Sequence, residues 1–175
     1  MSDERTRFAN VVLPHLGDAY ALARWLARND ADAEDIVQEA CLRAFRGIAG
    51  FADVNPRGWL LSIVRNTAFT WLKKHRDPKV VAVDNVEDVV PADAAWDRET
   101  ASPEASLIEQ ADAARLEAAI ADLPLEFRET LVLRDVEGLD YRTIATVTGV
   151  PIGTVMSRLA RARRRLMTQL GKESA

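Results

Sequence analysis

The chain has 175 residues, a formal net charge of −4 and 48% hydrophobic residues, enough for one ordinary domain or two small ones. Its lone Cys41 excludes an internal disulfide or a cysteine metal cluster within one chain, and no apolar stretch approaches the roughly 20 residues that span a bilayer, so a soluble cytoplasmic protein is expected. The acidic total hides an uneven distribution that keeps a nucleic-acid partner open: 11 Lys/Arg against 9 Asp/Glu as far as Arg76, 2 against 10 from Asp77 to Asp112, and 10 against 8 thereafter.

Helical periodicity dominates and β-type alternation is confined to the short run Val80-Val81-Ala82-Val83, so the predicted fold is all-α: two small helical domains joined by a flexible acidic linker. A first helix is expected over Phe8 to Arg28, ended by the cap-rich Asn29-Asp30-Ala31-Asp32. A second runs from Ala33 to about Ile48. Its buried face is expected to carry Val37, Ala40, Cys41, Ala44 and Ile48, leaving Asp35, Gln38, Glu39, Leu42 and Arg46 outside. An exposed leucine inside a charged patch suits protein docking, although single exposed leucines are common.

Gly47, Gly50 and Asn55-Pro56 mark a loop, after which a third helix continues to about Lys74. Leu60, Val64, Thr67 and Trp71 share one stripe of it, broadened by Leu61, Ala68 and Leu72. The other face holds Ser62, Arg65, Asn66, Phe69 and Lys73, followed by Lys74, and no acid occurs from Val54 to Arg76. A cationic surface with an outward aromatic suits single-stranded DNA, where backbone charge and base stacking both contribute. Trp59, at the helix start, fits either the core or that surface.

Residues 77–102 are acidic, contain Pro78 and Pro91 and lack periodic apolar content, the marks of a tether between domains 1–76 and 103–175. Ser102-Pro103-Glu104 restarts a helix that runs to about Asp122, and Leu123-Pro124 breaks it. The next helix reaches Glu137 and ends at Gly138; Asp140 then caps a short helix that stops at Gly149, and the last helix begins near Pro151. Ala145, Gly149 and Val155 have helix-turn-helix spacing. With about 100° per residue, Leu159, Ala162 and Leu166 fall within about 40° of Val155 and form the buried stripe. Ser157, Ala160, Arg161 and Arg164 then lie opposite with Gly153, Arg158, Arg163 and Arg165 flank them, and Thr154 completes the candidate base- and phosphate-contacting set. Neither histidine, His15 or His75, has metal-ligand or triad spacing, and no enzyme motif is present. No catalytic residue, metal or cofactor is expected.

The strings DAEDIVQEACLRAF (Asp32 to Phe45), WLLSIVRNTAFTWLKK (Trp59 to Lys74) and EGLDYRTIATVTGVPIGTVMSRLARARRRL (Glu137 to Leu166) occur in this order. Together they resemble the extracytoplasmic-function group of bacterial sigma factors, across both domains but not the acidic connector. The resemblance implies that the first block docks on the beta-prime clamp helices of core RNA polymerase through Asp35, Gln38, Glu39 and Leu42. It implies that the second melts and reads the minus-ten element of promoter DNA, with Arg65, Asn66 and Thr67 in the strand-reading region. The third would read the minus-thirty-five element and meet the polymerase beta flap. With no room for the extra domains of larger relatives, control by a separate anti-sigma protein is implied. Met156 stands where relatives often have Lys or Arg, and Ala160 where a larger aromatic or His is frequent, so the family's minus-thirty-five preference does not transfer. Two rival readings differ in consequence: a helix-turn-helix regulator that never melts DNA, and an all-α adaptor or sigma mimic whose DNA faces are vestigial.

Overall fold

A computed structural model describes residues 2–75 and 113–173, and every element among them is helical. The acidic connector expected at 77–102 and the helix start at Ser102-Pro103-Glu104 lie outside the described residues. The N-terminal unit contains α1 (Ser2–Val12), α2 (Leu16–Ala27), α3 (Asp30–Gly47) and α4 (Pro56–His75). The C-terminal unit contains α5 (Ala113–Ala121), α6 (Leu125–Leu131), α7 (Tyr141–Thr148) and α8 (Ile152–Glu173).

The expected single helix over Phe8 to Arg28 is two. Pro14 sits in a 3-10 turn, Leu13–His15, because its ring removes a backbone donor and crowds the preceding turn. Arg28 ends α2 in the left-handed region (φ 67°), its N–H donating to the Arg24 carbonyl. Asn29 caps α3 as expected, its side chain accepting from the Asp32 N–H. Asn55 does the same for α4, accepting from the Gly58 N–H at 3.0 Å. Arg7 reaches from α1 to the Phe51 carbonyl and Asp53, tying down the loop before α4.

The buried stripe of α3 is Ala33, Ile36, Ala40 and Ala44, continued by Ile48. Val37 and Cys41, expected inside, are only half-buried. The correction is a rotation of part of a turn, and burial lifts the Cys41 thiol pKa. On α4 the expected stripe holds except at Trp71, which is half-buried and stacks on His75 at 4.1 Å.

In the C-terminal unit α6 continues into a π turn, Val132–Val136, in which the Glu137 N–H donates to the Val132 carbonyl at 2.9 Å. Asp140 caps α7 through the Thr143 N–H at 2.7 Å, and that bond holds the carboxyl below its usual pKa. Gly149 ends α7 at φ 72°, a backbone that favours glycine. Val155, Leu159, Ala162 and Leu166 are all buried on α8, as the wheel requires.

The two units share one apolar core, in which α7 and α6 pack on α4 and α2. Arg128 crosses between them: its Nη1 donates to the Leu26 carbonyl at 3.0 Å and the Trp25 carbonyl at 3.2 Å, its Nη2 to Leu123. The Trp25 and Leu26 carbonyls lie in the last turn of α2, where no helical donor reaches them. No helix among the described residues is long and apolar enough to cross a membrane.

Candidate nucleic-acid interface

Asn66 is exposed on α4 beside an open pocket of about 340 Å³ lined by Arg43, Gly47, Gly50, Phe51, Trp59, Ile63 and Asn66. Trp59 is half-buried and stacks on Phe51 with ring centroids 4.5 Å apart, so it serves core and pocket together. One turn away, the Arg65 guanidinium lies 3.7 Å from the Phe69 ring centroid and donates to Asn66 Oδ1 at 3.3 Å. Ser62 is half-buried and donates to the Gly58 carbonyl; Lys73 is exposed in the last turn.

Thr67 does not join this group. It is 2% exposed and its hydroxyl donates to the Ile63 carbonyl at 2.6 Å, so its side chain is turned into the packing with α3, as its wheel position required. Lys74 also falls elsewhere, in a groove between α3 and α4.

That groove is lined by Asp35, Gln38, Glu39, Leu42, Arg43, Thr67, Thr70, Trp71, Lys74 and His75. Leu42 is 53% exposed at its edge, and Arg46 is exposed on the following turn. Four of the five expected docking residues therefore meet in one place. The buried Trp71 Nε1 has no acceptor among the described residues.

On α8, Gly153 and Arg164 are exposed, whereas Thr154, Ser157, Ala160 and Arg161 are half-buried along the expected face. The flanking cations are tied to the body of the domain. Arg163 forms a bidentate pair with Asp135 at 2.7 and 3.2 Å, and Arg158 lies 3.5 Å from Glu126. Arg165 is exposed but sits over the Phe127 ring at 4.9 Å.

Sequence reasoning missed the acids and arginine that join the units. Glu129, 0% exposed, accepts from Arg65 Nε at 2.8 Å and Nη2 at 3.0 Å. Burial raises the Glu129 pKa, and Arg65 and Arg158 partly oppose this. Arg57 Nη2 donates to the carbonyl and carboxylate of Glu137 at 2.7 and 2.9 Å, and its Nε to Asp18 at 2.7 Å. Glu137, its side chain 4% exposed, is likewise raised by burial and by Asp18, against Arg57. A charged pair, Arg128-Glu129, set between Phe127 and Leu131-Val132-Leu133 was the available signal, since such a helix has no wholly polar face. Among the described residues no group of His, Cys, Asp and Glu is placed to hold a metal ion.

Comparison with known proteins divides the chain the same way. The family described as Sigma-70 region 2 matches residues 11–77, and that described as Sigma-70, region 4 matches residues 113–166. The chain is 36% identical over 165 residues to ECF RNA polymerase sigma factor SigE of Mycolicibacterium smegmatis, covering 94% of this chain and 62% of that longer relative. It is 33% identical to RNA polymerase sigma-H factor of Pseudomonas aeruginosa, covering 91% of this chain and 84% of the relative. It is 35% identical to ECF RNA polymerase sigma factor SigM of Mycobacterium tuberculosis, covering 98% and 81%. Among solved structures, the sigma factor RpoE in complex with the anti-sigma factor NepR from Bartonella quintana matches with a TM-score of 0.69 and 29% identity, covering 94% of this chain and 96% of that one. CnrH in complex with the cytosolic domain of CnrY matches with a TM-score of 0.64 and 25% identity, covering 94% and 88%.

Proposed function

The chain belongs to the extracytoplasmic-function group of bacterial RNA polymerase sigma factors, and from that membership we propose how its surfaces divide the work of starting transcription. It binds core RNA polymerase and directs it to promoters. The groove edged by Leu42 takes the polymerase clamp, with Asp35, Glu39 and Lys74 supplying charge and Gln38 an amide around an apolar centre. The pocket beside Asn66 takes an unpaired base of the minus-ten element. Stacking on Trp59 and hydrogen bonds to Asn66 offset the few kcal/mol that extruding a base requires. The face of α8 with Ser157 and Arg161 reads the upstream duplex.

The carrying observation is the coexistence, in one chain, of an open aromatic pocket on an acid-free cationic helix and a helix-turn-helix with an arginine face. The helix-turn-helix accounts for duplex binding alone, and only the first feature accounts for capture of melted strand. The protein performs no bond chemistry itself and needs no cofactor in this scheme. It works in the cytoplasm, where polymerase and promoter are. An anti-sigma protein restrains it, a reading supported by the similar sigma factor RpoE, solved in complex with the anti-sigma factor NepR, and we place that protein over the polymerase-docking groove because blocking it prevents recruitment.

The test is run-off transcription with purified core polymerase and a genomic promoter library, followed by permanganate footprinting of the promoters selected. Transcripts with reactive thymines around the start site are expected. Duplex binding without permanganate reactivity would replace this reading by that of an ordinary helix-turn-helix regulator.

A further inference from the structure

The turn before α8 and the opening residues of that helix carry no charge. From Val150 to Ser157 the chain reads VPIGTVMS, and the first cation of the helix, Arg158, lies 3.5 Å from Glu126 of its own domain. Two large apolar side chains nevertheless stand in solvent here: Ile152 is 38% exposed and Met156 46%. With about 100° per residue, Ile152, Met156 and Ala160 succeed one another at intervals of about 40° and form a strip along one side of the exposed face. Thr154, Ser157 and Arg161 form the other side. Gly153 lies exposed between the two. A Cβ built on it meets nothing within 4 Å, so no packing among the described residues calls for glycine there, whereas close approach of another molecule does.

A strip of three side chains is too small to hold a protein partner, and it is bordered by hydroxyls and an arginine instead of further apolar surface. The DNA major groove is the better match. A helix-turn-helix inserts the N-terminal part of its second helix there, and the one apolar group that base edges present in that groove is the C5-methyl of thymine. We propose that Met156, flanked by Ile152 and Ala160, is a specificity-determining residue that selects thymine in the upstream duplex by apolar contact with this methyl group. The proposal rests on the reading of α8 as the duplex-reading helix. The unbranched, polarizable thioether of methionine adapts to a methyl whose position shifts with local groove shape. Removing water from both surfaces favours thymine over cytosine, which lacks the methyl and brings an amino donor that an apolar side chain leaves unpaired.

The experiment uses holoenzyme and promoters that the wild-type holoenzyme selects from the genomic library. Each thymine of the upstream element is replaced in turn by deoxyuridine, which removes the methyl and keeps the base pair. Competition band shifts read the affinity of wild type, Met156→Ala, Met156→Leu and Arg161→Ala. Met156 is exposed, so its variants remove no core packing.

At about one or two positions deoxyuridine should weaken wild-type binding about three- to fivefold, the loss that goes with one buried methyl. Met156→Ala should lose a similar factor on thymine DNA and no longer distinguish it from deoxyuridine, whereas Met156→Leu, apolar and of similar size, should still do so. Wild-type indifference to deoxyuridine at every position overturns the proposal, as do selected upstream elements without thymine, or full methyl sensitivity in Met156→Ala. Arg161→Ala separates these failures from a failure of the underlying reading. If it relaxes the upstream preference, α8 remains the reading helix and only the role of Met156 is lost; if neither Arg161→Ala nor Met156→Ala alters that preference, the reading of α8 falls and the proposal with it.

Discussion

At the scale of single residues, Arg161 and Arg165 differ in where they lie on α8: Arg161 is half-buried one turn beyond Ser157, on the face proposed to read the duplex, whereas Arg165 is exposed and sits over the Phe127 ring. Arg161→Ala is expected to cost about 1–3 kcal/mol of duplex binding and to relax preference at about one or two base pairs. Arg165→Ala should weaken binding to all sequences alike and flatten the salt dependence. Binding-site selection on both variants at fixed salt checks this. A changed preference in Arg165→Ala with an unchanged one in Arg161→Ala would rotate the reading face by about a quarter turn. Leu42, exposed at the groove edge, calls for Leu42→Asp: core polymerase binding should be lost in a pull-down while helicity by circular dichroism is kept.

At the scale of elements, the caps were legible because each uses one side chain and one nearby N–H. Asn29, Asn55 and Asp140 all cap as their spacing predicts. Asp140→Ala should therefore destabilise the chain by about 1 kcal/mol, measured by urea unfolding at neutral pH. Its carboxyl pKa is lowered, so the cap's contribution is present above the ordinary carboxylate range and is lost as pH falls through the lowered value. The rotation of α3 was not legible, since Ile36, Val37, Ala40 and Cys41 are all apolar and either stripe satisfies a helical wheel. Contact with α2 and α4 decides it. The break at Pro14 was legible in principle, but continuous apolar periodicity on both sides outweighed it. The charged patch around Leu42 and the cationic face of α4 were read from charge and helical position, and their roles came from the family resemblance. Thr67 and Lys74 lie away from the Asn66 pocket, because a helix places neighbours in sequence on different sides.

At the scale of the whole molecule, burial raises the pKa of both Glu129 and Glu137, and this gives the union of the two units a direction in pH. A carboxyl with a raised pKa in the docked form binds a proton that the separated form has released. Docking is thus strongest below the ordinary glutamate value of 4.5 and weakens as pH rises through the raised values. Small-angle scattering across that window should show expansion with rising pH, less so in a Glu129→Gln, Glu137→Gln double variant. An unchanged slope in the double variant would place the titrating groups elsewhere. The pairing across this interface was not legible in the sequence, because Arg65 and Glu129 are 64 residues apart; the charged Arg128-Glu129 pair among apolar residues signals burial but names no partner.

The Phe69 ring beneath Arg65 has a consequence of another kind. Arginine freely samples many rotamers, and fixing such a side chain on binding costs about 0.5–1.5 kcal/mol in lost freedom. Phe69 belongs to the same helix, so its contact with the guanidinium does not depend on the second unit, and the ring holds the plane of the arginine without a partner from outside α4. Phe69→Leu should slow strand capture while leaving every charge in place, and Arg65→Lys, which keeps the charge but loses the flat surface, should fall well short of wild type. Stopped-flow measurement of promoter opening by the two holoenzymes tests both, and wild-type rates in Phe69→Leu would show that the ring orders nothing.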